Sequence, residues 1–90
     1  MTDESLHKKA REVIQAGKLP SRHPDRMWGG PGVGADCTIC CAPVRRNDLE
    51  FELEFAREGN DFGDKHHVHI RCFAAWEAER QNLNLPKSLP

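Results

Sequence analysis

Four cysteines and five histidines are the residues of this 90-residue chain best suited to chemistry. Cys37 and Cys40 form a C-x2-C pair, and after 28 intervening residues His69 and Cys72 form H-x2-C. A C-x2-C turn sets two thiolates along one edge of a tetrahedron. A His and a Cys three apart at the start of a helix supply the opposite edge. The spacing therefore predicts one structural zinc ion held by Cys37, Cys40, His69 and Cys72. Four protein ligands close the coordination shell, so no position is left for a metal-bound water to become a nucleophile. No catalytic residue is expected, and the chain reads as a non-enzyme. A zinc deaminase is excluded by the order of its motif, in which H-x-E with its catalytic Glu precedes P-C-x-x-C. A redox C-x-x-C belongs to a β-α-β context, whereas Cys37 follows a Gly-rich stretch. Cys41, His66 and His67 lie close to these ligands in sequence, and Cys41 and His67 stand as alternative metal ligands. The simpler reading makes Cys41 a free thiol at a position where glycine is common and the histidines strand-surface residues.

Such ligands need elements to position them. Leu49, Phe51, Leu53 and Phe55 alternate with Glu50, Glu52 and Glu54, a period of two that predicts a strand over residues 48 to 56 with one buried and one acidic face. Gly59, Asn60, Asp61, Gly63 and Asp64 read as a turn-rich loop, and residues 65 to 70 as a returning antiparallel strand. Residues 70 to 81 read as a helix with Phe73 and Trp76 on one side. The order knuckle, hairpin, helix is treble-clef-like, so the fold class expected is α+β with a zinc-binding module over residues 37 to 81. Ahead of it, residues 1 to 19 hold an amphipathic helix at 4 to 16, with Leu6, Ala10, Val13 and Ile14 on one stripe and Gly17 and Pro20 as the stop. Residues 20 to 36 read as an irregular Gly/Pro-rich linker whose anchor, Trp28, packs against the zinc module. Its glycines do not make a phosphate loop, because no Gly-Lys-Ser/Thr follows them. Residues 82 to 90 read as a loose tail.

Composition limits the rest. With 38% apolar and 30% charged residues the chain is too apolar for full disorder and too polar for a large core, so a staple is expected. The net charge is -1 and neither half of the chain is basic, which gives no electrostatic case for nucleic acid. No apolar run has the length of a signal peptide or a membrane span, and a cytoplasmic protein without membrane association is the expectation.

The segment CTICCAPVRRNDLEFELEF, with Val44 three positions after the knuckle and a Leu-led strand, and then HIRCF, resembles the zinc fingers of poly(ADP-ribose) polymerase, which also occur in a DNA ligase. The resemblance covers about residues 37 to 76. The preceding GKLP and WGGPG segments are similar to those of small bacterial proteins carrying a single such finger. The resemblance implies that Cys37, Cys40, His69 and Cys72 bind zinc and that Phe73 and Trp76 pack beneath it. It also implies DNA binding, but where those fingers present a basic residue to phosphate this chain has Glu50, followed by Glu52 and Glu54, which would repel it. Arg45, Arg46, Arg57, Lys65 and Arg71 remain as phosphate contacts.

Three functions follow as expectations. First is a non-enzymatic zinc module that binds another protein through the acidic face of Glu50, Glu52 and Glu54 and the N-terminal helix stripe, with Arg45 and Arg46 also on the expected interaction surface. Second is recognition of DNA nicks or ends, with Phe62 covering exposed bases. Remote from both is a His-Asn-His-like nuclease built on Asp64, His66 and His67. No small-molecule substrate is indicated, and the oligomeric state is left open.

Overall fold

The computed structural model describes residues 3–57 and 60–84. Two helices and a three-stranded antiparallel sheet follow one another as α1 (Asp3–Gln15), β1 (Arg26–Pro31), β2 (Leu49–Arg57), β3 (Asn60–His69) and α2 (Ile70–Asn84), with β2 central in the sheet. The small α+β class agrees with expectation.

Helix α1 forms because its apolar residues recur every three to four positions, and that stripe needs a surface to cover. The surface is α2: Leu6, Ala10 and Val13 are buried and Ile14 packs beside them. The helix ends where Gly17 takes a left-handed φ of 74°. Its N–H bonds the Ile14 carbonyl at 3.0 Å, and the Lys18 N–H bonds that of Val13 at 2.9 Å, a Schellman closure. Leu19, fully buried, then leads to Pro20, whose carbonyl accepts the Trp76 indole N–H at 3.2 Å. Between the helices the Glu79 carboxylate receives His7 at 2.8 Å and Arg11 at 2.9 Å.

One face of the β2–β3 hairpin closes the core. Leu53, Phe55 and Val68 are buried with Trp76, and the aromatic rings meet edge to face, Phe51 on Phe73 at 4.8 Å and Phe55 on Trp76 at 6.1 Å. Gly63 permits this pairing at a register irregularity, since a Cβ there would stand 2.4 Å from the Phe55 carbonyl oxygen.

Four expectations are corrected. The stretch over 20 to 36 is not wholly irregular: Arg26–Pro31 pairs antiparallel with β2, Trp28 opposite Glu52. Asp25 fastens its start. The Asp25 carboxylate accepts the Ala56 N–H at 2.7 Å and Arg22 at 2.9 Å, and these bonds hold its pKa below the usual value. The second strand begins at Asn60, so residues 60 to 64 continue the sheet. The acidic face is covered: Glu50 is 5% exposed and Glu54 9%, because strands on both sides of β2 bring Arg26, Lys65 and His67 against it. Glu54 faces Arg26 and Glu52 faces Lys65, each at 3.8 Å, and Glu50 faces His67 at 2.9 Å. At the outer end of β2, by contrast, Leu49 is 64% exposed. Finally, α2 runs to Asn84, three residues beyond its expected end, and residues 85–90 of the expected tail lie outside the described residues.

The Glu79 clamp yields a test. His7 and then Arg11 hold the Glu79 carboxyl below the usual glutamate pKa. A carboxylate lowered in the fold contributes fully above its unfolded value of about 4.3 and loses that contribution as pH falls through its folded value. Glu79→Gln should cost about 1.5 to 3 kcal/mol near neutrality by urea denaturation. The gap to wild type should shrink below about pH 4.

Candidate metal centre

The knuckle is built by backbone. Asp36 and Pro43 bridge the two sides of the turn, the Cys37 N–H bonds the Ala42 carbonyl at 2.8 Å, and the Cys41 N–H returns to the Cys37 carbonyl at 2.9 Å. This reversal places Cys41 at a φ of 68°, the left-handed region that glycine enters without strain and other residues at a cost of about 1 to 2 kcal/mol. Cys37 and Cys40 thereby face the same way, and the Cys40 N–H points at the Cys37 sulfur at 3.5 Å. The Thr38 N–H bonds the His67 carbonyl at 3.0 Å, pinning the turn to β3. Gly32 allows the approach to the knuckle to pass close by, for a Cβ there would lie 2.3 Å from the Arg45 carbonyl oxygen.

His69 ends β3 and Cys72 lies in the first turn of α2. The sequence-expected ligands therefore meet from three places in the chain: a turn, a strand end and a helix start. Their donor atoms all lie within 4.8 Å of one another, and all four residues are buried. His69 Nδ1 is 3.4 Å from the Cys40 sulfur and 3.9 Å from that of Cys72. A tetrahedral ion with bonds of about 2.3 Å to sulfur and 2.0 Å to nitrogen separates its ligand atoms by roughly 3.5 to 3.8 Å. The observed separations straddle that range. The donor set and its spacing fit a metal ion, and Cys37, Cys40, His69 and Cys72 are the residues that would hold it.

Electrostatics agree with the geometry. The Cys72 thiol bonds the Cys37 sulfur, which stabilises Cys37 as a thiolate well below the usual thiol pKa and holds the Cys72 proton in place. Backbone N–H groups of the knuckle add to the Cys37 shift.

The other residues singled out from sequence fall elsewhere. Cys41 is exposed and outside the ligand group, and His67 bonds Glu50 through Nδ1. His66 bonds Thr38 at 3.2 Å, and burial lowers its pKa. As neighbours on β3, His66 and His67 point to opposite faces of the sheet, and with Asp64 they form no three-donor group among the described residues. Phe73 and Trp76 pack in the aromatic core, with ring centroids 5.6 Å apart. Trp28 does not anchor that core. It lies 46% exposed on the opposite face of the sheet, with Lys65 over its ring at 5.9 Å. Arg45 and Arg46 are exposed in a turn closed by the Asp48 N–H and the Arg45 carbonyl. The Phe62 side chain lies outside the described residues. Compared with family models, curated proteins and solved structures, the chain matches none.

Metal stoichiometry and chelation test the centre. Elemental analysis should find an ion lost in Cys72→Ser. A strong chelator should collapse the fold by near-ultraviolet circular dichroism, because a site of this type contributes about 10 to 16 kcal/mol of apparent binding free energy.

Proposed function

We propose that the protein is a non-enzymatic module, folded around one structural zinc ion, that binds another macromolecule. The carrying observation is the convergence of three buried cysteines and one buried histidine. Three thiolates and an imidazole in tetrahedral reach are the donor set of structural zinc, and four protein ligands leave no open position for reaction. The resemblance to the poly(ADP-ribose) polymerase fingers supports the same assignment, and a treble-clef-like arrangement of knuckle, hairpin and helix accommodates it.

The surface that supports binding lies beside the metal rather than on the glutamate row. A groove of about 380 Å³ is lined by Asn47, Asp48, Leu49, His69, Ile70 and Arg71. Leu49 is 64% and Ile70 37% exposed, a costly way to leave large aliphatic side chains unless something covers them. Arg71 is exposed at the rim, and Arg45 and Arg46 belong to the turn whose far end, Asn47 and Asp48, forms one wall. Apolar contact framed by guanidinium groups suits a protein partner that presents an apolar side chain among carboxylates.

DNA is the second reading, and one observation favours it. Glu50 and Glu54 are buried, Glu54 faces Arg26, Glu52 faces Lys65 and His67 bonds Glu50, so the carboxylates expected to repel phosphate are withdrawn. The exposed Arg45, Arg46 and Arg71 make no salt bridge shown among the described residues.

Leu49→Asp and Arg71→Glu separate the readings when used as affinity baits beside the zinc-loaded wild type. A protein partner retained by wild type should be lost from both variants, while circular dichroism shows each still folded. Recovery of the same partner by both variants would remove this groove from the reading. A gel shift with nicked and intact duplex at low salt decides the DNA reading: binding that Leu49→Asp keeps and Arg71→Glu abolishes would favour it.

A further inference from the structure

The polar face of the sheet carries a second set of donors that the Cys3His site does not use. Glu50 and Glu52 are two apart on β2 and so project to the same face. Register places His67 directly opposite Glu52 and diagonal to Glu50. One donor atom from each of Glu50, Glu52 and His67 lies within 4.8 Å of the other two. Glu50 and His67 are already in contact, with Nδ1 2.9 Å from one carboxylate oxygen and 3.1 Å from the other.

Glu50 is 5% exposed, His67 bonds it, and the second carboxylate of the group stands beside it. The nearby ammonium, that of Lys65, is 3.8 Å from Glu52 and shares its position with the Trp28 ring. Arg26, also on this face, serves Glu54. A buried carboxylate is stabilised best by a full positive charge with directed bonds.

We propose that Glu50, Glu52 and His67 form a second metal site, taking a first-row divalent transition ion and separate from the ion held by the cysteines. The donors choose the class of ion. Carboxylate oxygen suits the harder divalent ions and imidazole the borderline ones, so a site mixing both favours manganese, iron, cobalt or zinc over calcium and magnesium. Without a sulfur ligand it does not compete for soft ions. Bonds of about 2.0 to 2.2 Å at tetrahedral or right angles separate ligand atoms by roughly 2.9 to 3.6 Å. The Glu50–His67 contacts fall within that range. Glu52 has room to swing toward them, because Lys65, with its side chain 57% exposed, can turn into water. The backbone beneath is held by β1 on one side and β3 on the other, so the ligands stand on rigid strands. Three protein ligands leave further positions to water or to a donor from a partner. The two groups follow one another along β3, through His67 and His69, with Glu50 opposite His69 in register, and they differ in donor softness, so the thiolate site fills first.

The experiment starts from the full chain with its thiolate site loaded and the metal content counted. Cobalt(II) alone is then titrated in, followed by calorimetry and visible absorption. One further equivalent per chain is expected, with weak d–d bands and without the intense sulfur-to-cobalt charge transfer that marks thiolate ligation. Both E52Q and E50Q should weaken that equivalent by roughly tenfold or more while keeping the thiolate-bound ion. E52Q changes a half-exposed residue and carries the test should E50Q fail to fold. Three results would each overturn the site: no second equivalent up to millimolar cobalt, charge-transfer bands showing exchange into the cysteines, or a second equivalent unchanged in the folded glutamine variants.

Discussion

Cys37, Cys40, His69 and Cys72 bring together a turn, the end of β3 and the first turn of α2. These pieces are far apart in sequence, and in a chain of this length the core alone is too small to hold them firmly. A cation among these four buried donors would convert mutual repulsion between thiolates into a four-way crosslink. Its consequences run outward along α2. Once Cys72 is fixed, Trp76 one turn later is set into the sheet and against the Pro20 carbonyl, and Glu79 is set opposite His7 and Arg11 of α1. The docking of the N-terminal helix would thus be tied to a constraint made at the other end of α2.

The sheet divides the remaining work between its faces. One face, with Leu53, Phe55 and Val68, closes the aromatic core. The other gathers Glu50, Glu52 and Glu54 under Trp28, Arg26, Lys65 and His67, so that carboxylates expected in water are instead paired within the fold. A central strand makes this possible, since its side chains are flanked on both sides, whereas residues at its end, such as Leu49, escape cover. The result reverses the expected chemistry of the surface. The surface beside the candidate metal centre is aliphatic and cationic, through Leu49, Ile70 and Arg71, rather than acidic.

Local tolerance for unusual backbone is concentrated around the knuckle. Cys41 occupies a left-handed conformation without being glycine, and Gly32 admits the Val44–Arg45 backbone at a distance that no Cβ would allow. Strain of this kind persists where the surroundings over-determine it, and here the turn is held by its own hydrogen bonds and by Thr38 bonding the His67 carbonyl.

From its sequence alone the chain determines the features whose cause is local. The candidate metal ligands follow from C-x2-C and H-x2-C spacing, β2 from alternation, and α1 from its apolar stripe with Gly17 as a stop. Tertiary structure decides what depends on a neighbour across the fold. Strand β1 is hidden in RMWGGP because its hydrogen bonds lie with β2 and not within itself. Residues 60 to 64 read as a turn until β2 supplies their partner. Alternation along β2 identifies two faces but cannot say how much water reaches either. That outcome rests on strands and cations tens of residues away, and it is why Glu50 is buried, Leu49 is exposed and Trp28 stands outside the core.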